Sequence, residues 1–427
     1  MQDAINRWEG GLKTSGGAIV PSKSWIYPID FKFDNKGMYH YKTLNEIDPS
    51  FTVLDKKNVQ QQLCCYEASI GKETLGVFLA PDGNNKAALK SLEDKAKRWR
   101  DSIKAGHLSP TLAWHAANTT IMKSLEYSLP ALTLSYKECN RIMKIVKQGL
   151  LNSSRVSISI PSSVVYGPKD EGGFQLNHLY VTQGLMHIEK FYSFSNSNTI
   201  TGKLIRVSLE LSVLEIGIGR DIFSLDYGKF NMLLSDCWIK SIWKFTYENN
   251  INIVDRITKY PLPSREGDVF IMEVFQHQGY SKEKLQILNR CRIYLQVLTL
   301  SDIMTGKGNS FTCSFKCKRD HQKHNNFNWP KQPEPSTAMK KIWSAALQKT
   351  FGLKAGITEY NLGQWLHSDT SHWIWFFIPC QPPFFNDLGS YGRCGNEKQQ
   401  EVDLVLPQSL NSIPTLLDSQ SHVNEQQ

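Results

Sequence analysis

Four residues have the types of a metal site: Cys313-x3-Cys317-x3-His321-x2-His324. Thiolate and imidazole are the donors that hold Zn2+ in four-coordinate sites. Zinc fingers, however, separate the Cys pair from the His pair by a long spacer, and here it is 3 residues. Two expectations stand side by side. One is a knuckle-like loop that takes zinc and binds single-stranded nucleic acid. The other, which carries more weight, is a polar loop with scattered Cys and His. A different chemistry, anion binding, is written into residues 86–155. That stretch holds 13 lysines and arginines against 5 acids, a net of +8 where the whole chain carries +9. Cations gathered on helices release condensed counterions when they meet a phosphate backbone, so the block has the footprint of a nucleic-acid surface. Solvated helix faces are the plainer alternative. The candidate phosphate contacts are Lys86, Lys90, Lys97, Arg98, Arg100 and Lys104 in one segment and Lys137, Arg141, Lys144 and Lys147 in another. The sequence has no Gly-x-Ser-x-Gly elbow, no Gly-Lys-Ser/Thr phosphate loop and no His-Glu-x-x-His pair, so an independent hydrolase or nucleotidase is poorly supported.

Helical spacing must position those cations. Leu89, Leu92, Ala96, Trp99 and Ile103 step by three or four, which predicts a helix that Gly106 closes. Ser109-Pro110 opens the next, with Ser as cap and Pro in the first turn, and Pro130 forbids its continuation. Ser135-x-x-Glu138 is a capping box for a third helix carrying Ile142, Met143 and Val146. Trp99 and Trp114 lie at helical spacing among aliphatics, so core packing outweighs base stacking for both. Upstream, residues 1–13 predict an amphipathic helix with Ile5, Trp8 and Leu12 on one face. A strand through Trp25-Ile26-Tyr27 is expected to pair with Met38–Tyr41 across a turn at Asp34–Gly37, and further strands are expected at 61–66 and 74–79. Downstream, residues 196–307 predict mostly helix, 308–340 a polar linker, and 341–385 a small aromatic-rich segment with Trp365, His367, His372, Trp373 and Trp375. The alternation Trp373-Ile374-Trp375 predicts a buried strand. A Gln-, Ser- and Asn-rich tail over 386–427 is expected to be disordered.

The order helix, Gly-Gly turn, Lys-bearing strand, hairpin, Thr-Leu-Gly-Val strand and basic helices resembles the second half of a reverse transcriptase of the non-LTR retrotransposon type. Asn6–Leu12 and Gly16–Ser24 match the helix and Lys segment that follow the catalytic hairpin in that family. Glu73-Thr74-Leu75-Gly76-Val77 resembles the primer-grip strand. Residues 81–195 would be the thumb, and Gly172-Gly173-Phe174-Gln175-Leu176 resembles a Gly-Gly-Leu-Gly segment that follows it, with Phe174 and Gln175 as departures. The resemblance covers about residues 1–195 and rests on order and spacing rather than on one motif. It implies an α+β fold: a small antiparallel sheet (the palm remnant, 1–80) packed on the helical thumb, then a mostly helical C-terminal extension. It also implies roles. Lys23 would be a general acid toward departing pyrophosphate, although a solvated Lys at a strand start is the weightier expectation. Leu75 and Gly76 would let backbone approach the primer terminus, and the basic helices would hold the sugar-phosphate of an RNA–DNA hybrid without reading its sequence. The family enzyme uses Mg2+ held by paired carboxylates. This chain has no Asp-Asp pair. The chain is therefore expected to be a catalytically incomplete C-terminal fragment of an RNA-directed DNA polymerase. The alternative is a non-enzymatic nucleic-acid-binding protein derived from a transposon.

Whole-chain properties suit this. A length of 427 residues allows two or three domains, and 41% hydrophobic content with 11% aromatic content supports a true core. There is neither an apolar run of membrane-spanning length nor an apolar signal core after Met1. The nine cysteines, odd in number and set in apolar patterns, read as reduced intracellular thiols. A nuclear location is expected only from the resemblance.

Overall fold

The computed structural model describes residues 1–34, 39–254, 261, 265, 267–305, 308–319, 327–354, 357–358, 362, 364–367 and 374–377. The chain is mixed α+β. It opens with helix α1 (Gln2–Thr14), strands β1 (Trp25–Ile26), β2 (Phe31–Phe33) and β3 (Tyr39–Tyr41), a one-turn helix α2 (Leu44–Ile47), and strands β4 (Thr52–Leu54), β5 (Gln60–Gln62), β6 (Cys64–Cys65), β7 (Lys72–Thr74) and β8 (Val77–Leu79). These strands do not form the single antiparallel sheet expected. β2–β3, β4–β5 and β7–β8 are separate antiparallel hairpins, and β1 pairs with β6 in parallel. The partner of Tyr39–Tyr41 is thus Phe31–Phe33 rather than the strand at Trp25. The expected run 61–66 divides at Leu63, which is buried while Gln60–Gln62 are exposed. Three consecutive glutamines offer no apolar alternation to hold a buried face, so the chain changes partner where Leu63 turns inward.

Helix α1 also departs from expectation. Trp8 is exposed and Glu9 is the buried residue. Glu9 accepts from the Leu54 backbone N–H at 3.2 Å and pairs with Lys13 at 2.9 Å, which holds its carboxyl below the usual range. Gln2 bonds both backbone groups of Thr52, donating at 2.8 Å and accepting at 3.1 Å. The edge of β4 carries unpaired backbone groups, and α1 docks by satisfying them with polar side chains, with Ile5 and Leu12 half-buried beside Glu9.

Next come α3 (Lys86–Ala105), α4 (Pro110–Ala116), α5 (Met122–Glu126), α6 (Tyr136–Ser153), α7 (Ser162–Tyr166) and α8 (Leu179–Ser195). A π-helical stretch, Ala117–Ile121, joins α4 to α5. Ser109 caps α4 by accepting from the Leu112 N–H, and Ser135 and Glu138 close a reciprocal capping box on α6. Leu92, Ala96, Leu125, Ile142, Met143 and Val146 form the centre of one core, with Trp99 and Trp114 packed half-buried against it. The Gly-Gly-Phe-Gln loop folds onto Tyr166-Gly167-Pro168. A Cβ on Gly173 would lie 2.2 Å from the Gly167 carbonyl oxygen, so glycine is needed for backbone to meet backbone there. Phe174 sits edge-on to Trp114 at 5.2 Å.

The remaining helices are α9 (Ile200–Ile216), α10 (Tyr227–Phe230), α11 (Trp238–Glu248), α12 (Ile271–His277), α13 (Lys282–Leu295) and α14 (Thr337–Phe351). Two short antiparallel pairs follow, β9 (Leu353–Lys354) with β10 (Ile357–Thr358) and β11 (Gln364–His367) with β12 (Ile374–Phe377). Trp243, Phe275, Leu288, Cys291 and Trp343 centre a second core. The expected polar linker is partly core: Ser314 and Cys317 are buried, and Trp343 donates its indole N–H to the Ser314 carbonyl at 2.9 Å. The aromatics at 311, 315 and 343 supply the apolar weight that Lys and His counts concealed. His372, Trp373 and the tail over 386–427 lie outside the described residues. Among the described residues no helix is long and apolar enough to cross a membrane.

The two cores are bolted together by polar groups. Gln183 of α8 bonds both the N–H and the carbonyl of Leu134, at 3.0 Å each. His187 donates to the Leu129 carbonyl at 3.1 Å, and Trp238 donates to that of Pro130 at 3.1 Å. Gly184 lets the Phe245 ring of α11 lie directly on α8, where a Cβ would come within 2.4 Å of it.

Candidate nucleic-acid interface

Helices α3 and α6 run side by side and parallel. Asn85 donates to the Thr133 hydroxyl at 3.2 Å, Glu93 pairs with Arg141, and Gly149 lies against Arg100, where a Cβ would stand 3.1 Å from the Arg100 Cα. Each contact advances along both helices together, which fixes the direction. On α3, Lys86, Lys90, Lys97 and Lys104 succeed one another by four, seven and seven residues, so they share one stripe at 3.6 residues per turn. On α6, Lys137, Arg141 and Lys144 step by four and three and form a second stripe. The Glu93–Arg141 pair crosses the seam between the stripes, so both rows face the same side of the helix pair. Their apolar faces, carrying Leu89, Leu92 and Ala96 and Ile142, Met143 and Val146, point the other way into the core.

Not every predicted cation is equally available. Lys97 lies 3.6 Å from Asp94, Arg100 lies 2.9 Å from Asp101, and Arg141 is taken by Glu93. Lys147 sits at the edge of its row and donates to the Ser162 hydroxyl at 3.2 Å. Lys86, Lys90, Lys104, Lys137 and Lys144 are exposed and make no ion pair among the described residues. These five are the predicted lysines most open to an outside anion. Arg98 donates to the Asp94 carbonyl at 3.3 Å and joins Lys90 and Lys97 on the wall of a shallow groove between α3 and β8, floored by Phe78 and Ala87. Asp94 and Asp101 also line it, so the groove itself is of mixed charge and the unpaired lysine rows are the more cationic surface.

The segment Glu73–Val77 is a hairpin rather than the single strand expected. Leu75 and Gly76 are its two-residue turn, with φ of 50° and 82°. A two-residue hairpin turn of type I′ needs positive φ at both central positions, and Gly76 takes one without a steric cost. Leu75 is 88% exposed at the tip. Tyr127, at the end of α5, donates its hydroxyl to the Leu75 carbonyl at 3.0 Å and tethers the tip to the helical unit. Sequence reading missed Tyr127 and the seam residue Glu93. Neither stands in a motif, and each matters only through a partner about 50 residues away.

Lys23 is exposed at the end of a 3-10 turn (Pro21–Lys23), and its side chain makes no hydrogen bond or ion pair among the described residues. Of the Cys and His quartet, only the two cysteines are among the described residues. Cys313 is exposed, Cys317 is buried beside Cys291, and His321 and His324 lie outside the described residues. Among the described residues no group of three or more Cys, His, Asp or Glu is arranged to hold a metal ion. No family model, curated protein or solved structure matches the chain.

Proposed function

We propose that this chain binds the sugar-phosphate backbone of a nucleic-acid duplex on the paired lysine rows of α3 and α6, as the thumb of a retrotransposon-type reverse transcriptase would. The observation that carries the reading is the coincidence of five unpaired lysines on one side of two parallel helices. Lysines are point charges on flexible stems, suited to phosphates and unsuited to reading base edges. An RNA–DNA hybrid, with its A-like shape, is the favoured ligand on the resemblance. The C-terminal core would buttress the thumb through Gln183, His187 and Trp238. Polymerisation needs paired carboxylates and Mg2+, and the sequence has no Asp-Asp pair, so the chain would hold template and primer without extending them.

The test is fluorescence anisotropy of labelled hybrid, duplex DNA and single strands with the whole chain across a salt series. The expected result is sequence-independent binding that falls steeply with salt and is tightest for the hybrid. Salt-insensitive binding, or none at low salt, would end the reading. Primer extension with Mg2+ should give no product, and robust extension would show that the catalytic carboxylates lie within this chain after all.

A further inference from the structure

Helix α9 has a second face that the cores do not use. Ile200, Leu204, Val207 and Leu211 are 78%, 61%, 59% and 37% exposed. They step by four, three and four residues, the spacing of a coiled-coil seam, while Ile205, Leu209 and Val213 on the opposite side enter the cores. A single exposed aliphatic needs no explanation, but an aligned row of four on a 17-residue helix does. The flanks of the row are informative. On one side stand Lys203 and Glu210, seven residues apart, and on the other Thr201 and Ser208, both small and uncharged. Lys203 and Glu210 are about 10 Å apart along the axis, too far to pair within the helix. Neither makes an ion pair among the described residues.

We propose that this face is a self-complementary interface on which a second copy of the chain lays its own α9 antiparallel. Reversing one helix against the other sets Ile200 opposite the second Leu211 and Leu204 opposite the second Val207, so all four aliphatics are covered. The same reversal brings Lys203 of each copy beside Glu210 of the other, offset by roughly 3 Å along the axis, within reach of a lysine. A parallel pair would instead set Lys203 against Ser208 and Glu210 toward Glu215, which already accepts from the Ser235 N–H, and leave both without an opposite charge. The sequence of the flank therefore selects a two-fold, isologous contact. This inference stands apart from the nucleic-acid reading, since α9 carries none of the unpaired thumb lysines.

The experiment is sedimentation equilibrium of the whole, nuclease-treated chain, with circular dichroism as the control for helix content. The wild type should be a dimer at micromolar concentration, and Leu204→Glu should be a monomer with unchanged helicity. Lys203→Glu and Glu210→Lys should each weaken dimerisation about tenfold by creating like-charge pairs, and the double swap Lys203→Glu/Glu210→Lys should restore it. A wild type that stays monomeric, or a dimer indifferent to Leu204→Glu, would overturn the interface. Single swaps without effect, or a double swap that fails to rescue, would overturn the antiparallel pairing.

Discussion

The α3–α6 pair keeps its cations outside, whereas the α9–α13 packing takes one wholly inside. Arg292 of α13 is fully buried. Its guanidinium donates to Asn289 Oδ1 at 2.8 Å, to the Val297 carbonyl at 3.1 Å, and to the carbonyls of Leu214 and Glu215 in the last turn of α9. Those last carbonyls have no intrahelical partner, so a cation there satisfies them and meets the negative end of the helix dipole. Burial pulls Arg292 down to about 9, which leaves it charged at neutral pH. A charge saturated by its own protein is architecture; a charge left without a partner is available to a ligand. The contrast separates the buried Arg292 from the five open lysines more sharply than any count of basic residues.

The contrast can be broken at either end. Arg292→Ala would orphan several buried carbonyls and open a cavity, and should cost roughly 4 kcal/mol in urea unfolding while leaving hybrid binding intact in whatever protein remains folded. Reversing Lys86, Lys90, Lys104, Lys137 and Lys144 together to Glu should do the opposite. Hybrid affinity should fall by about a hundredfold or more and the salt slope should flatten by about 0.9 per lost phosphate contact, with little change in the unfolding midpoint. An equal loss from reversing the already paired Lys97, Arg100 and Arg141 would mean that pairing does not decide availability.

The polar bolt between the cores sharpens the comparison through pH. Burial pushes His187 down to about 4, so the folded chain prefers the neutral ring and the unfolded chain takes up a proton first. Stability is therefore complete above the ordinary histidine range near pH 6.5 and should decline as pH falls toward 4, by on the order of 3 kcal/mol. His187→Gln should remove most of that slope in unfolding measured from pH 7 to pH 4. The smallest expected effect is at the hairpin. Tyr127→Phe removes one exposed hydrogen bond to Leu75, worth about 0.5 kcal/mol, and amide exchange at Gly76 and Val77 should quicken roughly two- to threefold.

Local patterns foretold the helices that position the lysines. Apolar steps of three and four, a Ser-Pro start and a Ser-x-x-Glu box act over a few residues, so α3, α4 and α6 were legible from the sequence. The strands were not. A two-residue strand is specified by its partner, and β1 finds its partner at Cys64, across the whole of the first two hairpins. The buried character of 308–319 was hidden for the same reason, because Ser314 and Cys317 are enclosed by α13 and α14 rather than by neighbours in sequence.

The amino-acid order thus determined which helices form and how much charge their outer faces carry, because capping and periodicity are settled within a turn or two. Only the tertiary structure decided which lysines are spoken for, that both rows face one side, and that Leu75 and Gly76 stand at a hairpin tip. Ion pairing, helix direction and strand partnering all depend on groups that the backbone brings within a few ångströms from far along the chain.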